Sequence, residues 1–337
     1  MPTGTGIKGA GQGRSGIALW VGGLLAFGCA LAAGDSGYAW QPSWAIGGEG
    51  KWDLLTVDAA HNRLFIPRAT RVQAIDLDSG KLIGEIKDTA GVHGVAVAAE
   101  FKRGFTSNGD SDSVTVFDLD SLAPITRIKI SGHDPDAIVY DPYSKHVYAF
   151  NGHSDNATII DPATAKEVGS VSLPGRPEFA LSDGNGRIYL NLEDKDMLAV
   201  IEVATNTVRS TWPLAPCKGP TGLALDAARH RLFSVCANQH LVVTDSESGR
   251  HIAELPIGTH ADAAAFDPGN GTVFSSNGDS ADVTIVDAST PDHYSVRGSL
   301  KTAPGSKTMA LDARTHRLYV PARTPTGFQV LVAAPTT

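Results

Sequence analysis

Cysteine, methionine and charge are all sparse in this chain. Its 337 residues include three Cys and three Met, and only 19% are charged. Cysteines at 29, 217 and 236 are too few and too scattered for a disulfide-dense scaffold or a compact zinc motif. No Gly-x-Ser-x-Gly elbow, His-Glu-x-x-His pair, phosphate loop, haem-attachment pair or Gly-rich dinucleotide fingerprint is present. A local motif therefore names no reaction, although an enzyme drawing single residues from several repeats would leave none either. Basic runs are missing too: 28 Lys and Arg face 36 Asp and Glu, a formal charge of −8. An acidic domain of this kind repels polyphosphate, which argues against nucleic acid as a partner. Beyond residue 40 no segment sustains a helical period, and no apolar run reaches membrane-spanning length.

The first 39 residues differ from the rest. Lys8 and Arg14 precede an apolar run from Ile17 to Ala33, followed by small residues. That order predicts a secretory signal peptide, with Ala30-Leu31-Ala32 or Gly37-Tyr38-Ala39 as candidate cleavage sites. An uncleaved anchor and lipidation at Cys29 are the alternatives, although Ala26 stands where a lipoprotein signal carries a larger aliphatic residue. The expectation is an exported domain spanning 40–337, periplasmic if the source is Gram-negative. In such an oxidising compartment Cys217 and Cys236 are expected to form a disulfide, because the turn near Ala228 brings Cys236 roughly opposite Thr221.

What the chain does have is a repeat. Phe65, Phe105, Tyr148, Tyr189, Phe233, Phe274 and Tyr319 follow one another at 40, 43, 41, 44, 41 and 45 residues. Seven residues before five of them stands Asp (Asp58, Asp141, Asp226, Asp267, Asp312), with Ala98 and Ser182 in the other two. Each unit begins with a short strand of small apolar residues, such as Val95-Ala96-Val97 or Ala263-Ala264-Ala265. A tight turn and a strand ending on the aromatic follow, then a third strand closing on Asp or Glu and a fourth beyond another turn. Period-two alternation bounded by Gly, Asn, Asp and Ser reads as strands and turns. Seven such units predict an all-β, seven-bladed β-propeller with one four-stranded blade per repeat. The seventh unit lacks its fourth strand, and Trp44-Ala45-Ile46-Gly47 resembles the missing one. The N-terminal segment is therefore expected to complete the last blade and close the ring, removing an exposed edge.

These repeats resemble the YVTN-type propellers, the YncE-like exported proteins. The resemblance is carried by Arg187-Ile188-Tyr189-Leu190-Asn191, His146-Val147-Tyr148-Ala149-Phe150-Asn151 and Ser113-Val114-Thr115-Val116-Phe117-Asp118-Leu119-Asp120, and by the Asn-Gly-Asp-Ser and Asn-Gly-His-Ser loops. It covers the chain from residue 40 to its end, whereas the Gly-His and Trp-Asp signature of WD repeats is absent. The resemblance implies an exported seven-bladed ring, with periplasmic DNA binding in one family member, a role the acidic balance opposes here.

In a propeller, loops entering the innermost strands converge on the channel mouth. Those loops carry Trp52 and Asp53, His93, His133 with Asp134 and Asp136, Arg176 with Glu178, Lys218 with Thr221, His260 with Asp262, and Ser306 with Lys307. His93, His133 and His260 are the candidates for a divalent metal, since imidazole with carboxylate suits zinc, copper or iron. The bland alternative is a solvated polar rim. A second set follows the aromatic strands: Arg68, Asn108, Asn151, Asn191, Asn277 and Arg323. The asparagines are expected as turn formers tolerating left-handed backbone. Arg68 and Arg323 fall in units that are neighbours in a closed ring, where they could bind a carboxylate or phosphate or pair with Asp. Three functions compete: a monomeric exported scaffold binding a small molecule or periplasmic protein, a metal-dependent hydrolase, lactonase or oxidoreductase at the channel mouth, and DNA binding.

Overall fold

The computed structural model describes residues 36–336. The expected signal peptide, with Cys29, lies outside the described residues except for its last few positions.

Apart from three single-turn 3-10 helices, the regular structure of the described residues is all strand, arranged as seven four-stranded antiparallel sheets. The innermost strands are Thr56–Asp58, Val92–Ala98, Pro135–Asp141, Pro177–Ser182, Pro220–Asp226, Ala261–Asp267 and Ala310–Asp312, numbered here as blades 1 to 7. Each packs against the next, and the innermost strand of blade 7 packs against that of blade 1. The ring is closed, a seven-bladed β-propeller.

The repeat's residue types follow from what each position touches. The seven aromatics stand third in the second strands, which run on past them instead of ending there; all seven are buried, and the apolar clusters around them draw on neighbouring blades. The core therefore sits between blades. Arginines opening the second strands cross to the next blade: Arg103 Nη1 donates to Ala163 O (2.9 Å), Arg187 Nη1 to Glu247 (2.7 Å) and Arg231 Nε to Asp292 (2.9 Å). Asp residues closing the third strands accept from their own turns, as Asp76 does from the backbone N–H (2.8 Å) and hydroxyl of Ser79.

The asparagines depart from expectation. Asn108, Asn151, Asn191 and Asn277 are fully buried, and none has a positive φ. Asn108 Nδ2 donates to Ser113 Oγ (3.2 Å) and Thr115 Oγ1 (3.0 Å), and Asn277 Nδ2 to Asp282 (2.9 Å) and Thr284 (2.9 Å). Asn108, Asn151 and Asn277 clip the second strand to the third, while Asn191 reaches the next blade; none of the four shapes a turn. A buried amide must find partners, and a Ser or Thr row on the adjacent strand supplies them.

The N-terminal segment completes blade 7 as expected, but with a longer strand. Tyr38–Ala45 pairs with Gly327–Pro335 from Tyr38↔Pro335 to Ala45↔Gln329, with a bulge between Gln41 and Trp44. Tyr38 is buried edge-on to Phe274, donates to Asp267 Oδ2 (3.2 Å) and accepts from Asn270 Nδ2 (2.9 Å). Burial raises its phenol to about 12, with Asn270 opposing and Asp267 reinforcing, so it remains a donor. A cut after Ala39 would remove this contact to blade 6. At the other end Trp44 packs on Tyr319, 5.1 Å between ring centroids. Its ring also covers Gly80 of blade 1, where a Cβ would lie 2.3 Å from the indole.

Arg68 and Arg323 serve this closure and do not form an anion site. Arg68 is wholly buried; its guanidinium donates to Gly48 O (2.9 Å), Gly47 O (3.2 Å) and Gln73 Oε1 (2.8 Å), and lies 3.7 Å over the Phe328 ring. Burial, with the charges of Arg71 and Arg323 adding to it, lowers its pKa to about 10. Arg323 Nη2 donates to Gly50 O at 3.0 Å. The two arginines do meet, as their ring positions require, and both donate to Gly50 O of the loop 47–50. Cys217 and Cys236 form a disulfide, Cα–Cα 5.5 Å, with Pro220 opposite Cys236.

Two consequences can be measured by denaturant unfolding. Arg68→Ala removes a buried guanidinium's bonds to the loop 47–50 and to buried Gln73, with its packing on Phe328, and should cost about 2–4 kcal/mol, whereas exposed Arg323→Ala should cost under about 1 kcal/mol; equal effects would refute the distinction. Cys217→Ser with Cys236→Ser should cost about 2–3 kcal/mol.

Candidate functional site

One position in each blade builds the channel mouth. It lies five residues before the residue that pairs with the start of the second strand. In blades 1, 2, 3, 5, 6 and 7 that gives Asp53, His93, Asp136, Thr221, Asp262 and Lys307. Blade 4 has a turn one residue shorter. Ser182 pairs with Ile188, and Asp183 N–H donates to Arg187 O (3.0 Å), so Asp183, not Ser182, matches Asp141 of blade 3. Counting from Asp183 gives Glu178.

Six of these seven side chains surround a single cavity of about 180 Å³, together with Leu54 and Phe179. Thr221 faces the wall, its hydroxyl donating to Ala261 O at 2.8 Å. The cage holds four carboxyls, one imidazole and one ammonium. His93 Nδ1 lies 2.7 Å from Asp53 Oδ2 and 3.6 Å from Asp136 Oδ1, and Lys307 Nζ is 3.2 Å from Asp262 Oδ2. Glu178 has no hydrogen bond or ion pair among the described residues.

Backbone contacts between blades hold the cage in shape. Leu54 N–H donates to His93 O (3.0 Å), joining blade 1 to blade 2. Ser107 Oγ accepts from Gly94 N–H (3.0 Å) and donates to Asp136 O, joining blade 2 to blade 3. Asn191 Nδ2 donates to Thr221 O (2.8 Å) and Ser276 Oγ to Lys307 O, repeating the device at blades 4–5 and 6–7. The atoms used are carbonyls of the cage residues themselves or of their neighbours, which leaves the side chains free to face the channel.

Burial beside like charges sets the electrostatics. Burial raises Glu178 to about 9, reinforced by the charges of Asp136, Glu193 and Asp262 and opposed by Arg176. Burial also raises Asp136 to about 7; His93 opposes this, and Asp53, Asp134 and Asp262 add to it. Burial works against the His93 cation, but the Asp53 hydrogen bond and the charges of Asp136, Asp53 and Asp134 outweigh it, raising His93 to about 9. Asp262 is raised mainly by burial. Lys307 is raised in spite of burial, by Asp262, Asp53 and Glu178. The cage is thus acidic and short of cationic partners.

Of the three histidines expected to share a metal, only His93 reaches the cavity. His133 is three residues ahead of its blade's cage position and pairs with Asp112 at 3.2 Å, 63% exposed. His260 is two residues ahead and faces Asp279 at 3.7 Å, 57% exposed. Arg176 likewise sits on the rim against Glu193. Asp53 takes the place of the other two histidines: the ligand atoms of Asp53, His93 and Asp136 all lie within 4.8 Å of one another. The signal that singles out Asp53 among the mouth residues is the five-residue count, obscured in blade 4 by its shorter turn. Phe179 borders both this cavity and the more apolar spaces of about 370 and 530 Å³ further along the inner strands. It forms the cage floor.

No protein-family model and no curated protein matches the chain. Solved structures do. A chain from Kuenenia stuttgartiensis hydrazine synthase aligns with TM-score 0.75 and 17% identity, covering 88% of this chain and 99% of that one. U3-55K aligns with TM-score 0.75 and 9% identity, covering 90% and 100%. At such identities the likeness concerns the propeller fold alone.

The cage predicts a pH dependence. Its three perturbed acids and its imidazole all hold protons more tightly folded than unfolded, so stability declines as pH rises through the folded values. In chelator-containing buffer the melting temperature should fall between about pH 5 and 9, and Glu178→Gln should flatten that fall. A melting temperature unchanged across this range would contradict the raised pKa of Glu178.

Proposed function

We propose that this protein is an exported, non-catalytic binding ring whose channel-mouth cage captures a small positively charged ligand. One observation carries the reading. Six blades each aim an ionisable side chain into one cavity, and carboxyls outnumber cationic groups there. A cavity of about 180 Å³ is smaller than the space a drug-sized ligand occupies, roughly 300 Å³ or more. The ligand is therefore a compact cation, such as a small amine or a hydrated metal ion, and not a bulky metabolite.

Export is supported by the apolar run behind Lys8 and Arg14 and by the disulfide, which suits an oxidising compartment. The propeller repeats and the Asn-Gly loops support placing the ring with the YVTN-type exported proteins. The same ring favours a monomer, since radial closure leaves only short, protected edges.

A thermal-shift panel in chelator tests the reading. Small alkylamines and amidines should raise the melting temperature of the wild-type protein, and Asp262→Asn with Glu178→Gln should abolish the rise. Stabilisation by anions alone, or by none of the panel, would overturn the organic-cation form of this proposal.

A further inference from the structure

We propose that Asp53, His93 and Asp136 form a binding site for one divalent transition ion of the zinc class. The inference rests on the cage being a cation site and specifies a cation for one part of it. Blades 1, 2 and 3 each supply one ligand, so the site exists only because three consecutive inner strands are locked together.

The donor set is mixed, one imidazole nitrogen and two carboxylate oxygens, which suits zinc and its neighbours better than calcium or magnesium. Ligand atoms within 4.8 Å of one another match the span of donors around an ion with bonds of about 2.0–2.2 Å. His93 Nδ1 already points between the two carboxylates, at 2.7 and 3.6 Å. Its other edge rests on Gly109, where a Cβ would come within 2.9 Å of Nε2. Glycine at 109 thus lets the imidazole lie flat against the wall with Nδ1 turned to the cavity.

Two further features separate this trio from a chance acidic cluster. The backbones carrying it are tied in sequence, Leu54 N–H to His93 O, then Gly94 N–H to Ser107 Oγ, then Ser107 to Asp136 O. Such outer support fixes ligand direction in metal sites. Glu178 then faces the same cavity with no hydrogen bond or ion pair among the described residues. An unpartnered carboxyl there offers an acceptor for the waters that complete a three-residue ligand set. Lys307 does not compete, because Asp262 holds it.

The test uses the full domain stripped with chelator and dialysed. Titration with Co²⁺, read by its visible ligand-field bands, and with Zn²⁺, read by calorimetry, should saturate at one ion per chain. His93→Ala and Asp136→Asn should each weaken binding by about tenfold or more. His133→Ala combined with His260→Ala should leave it unchanged. Melting curves identify any variant that fails to fold, and His93→Gln, closer in shape, repeats the test for that position. Absent saturable binding by the wild-type protein, or equal binding by folded His93 and Asp136 variants, overturns the proposal. The amine panel in chelator is read separately: amines that bind where metals do not would remove the metal and keep the cation cage, and silence in both would remove both.

Discussion

One strand holds the ring shut. Tyr38–Ala45 pairs with Gly327–Pro335, residues almost 300 positions apart, and without that pairing blade 7 would have three strands and an open edge. The contact is reinforced from both sides. Tyr38 reaches Asp267 and Asn270 of blade 6, while Trp44 lies over Gly80 of blade 1. Arg68 then grips the loop behind the strand through its carbonyls. A charge buried this deeply persists because several acceptors and the Phe328 ring surround it.

Closure matters for the site because the cage has no local origin. Its members stand about 40 residues apart in sequence and come together only when all inner strands share one axis. The interblade hydrogen bonds at His93 O, Asp136 O, Thr221 O and Lys307 O set how far apart they sit. A ring that opened would separate blade 7's Lys307 from blade 1's Asp53 first. The acidic character of the cavity is likewise collective: burial, reinforced by neighbouring carboxylates, raises the proton affinity of Glu178, Asp136 and Asp262.

The aromatic period and the truncated last repeat made blade number and closure legible before any coordinates, because burial and pairing impose those patterns on every copy. Individual roles were less visible. Arg68 and Arg323 were correctly neighbours, yet which acceptors they would meet depended on the path of the loop 47–50. The buried asparagines carried the same letters as turn formers. Only the partner strand, with Ser113 and Thr115 or Asp282 and Thr284, reveals their work as clips. His133 and His260 share a loop with cage residues but miss the cavity by two or three positions, a distance at which side chains turn to the rim.

From the order of residues alone came the all-β repeat, the seven blades, the clasp and the pool of polar groups at the mouth. Those are consequences of periodic burial, which a linear pattern records. Tertiary structure alone decided which groups face each other: Asp53 with His93 and Asp136, Lys307 with Asp262, and Glu178 with no hydrogen-bond or ion-pair partner among the described residues. Pair distances across a ring depend on turn lengths and interblade contacts, and a one-residue turn deletion such as that before Arg187 is enough to shift a side chain to another neighbour.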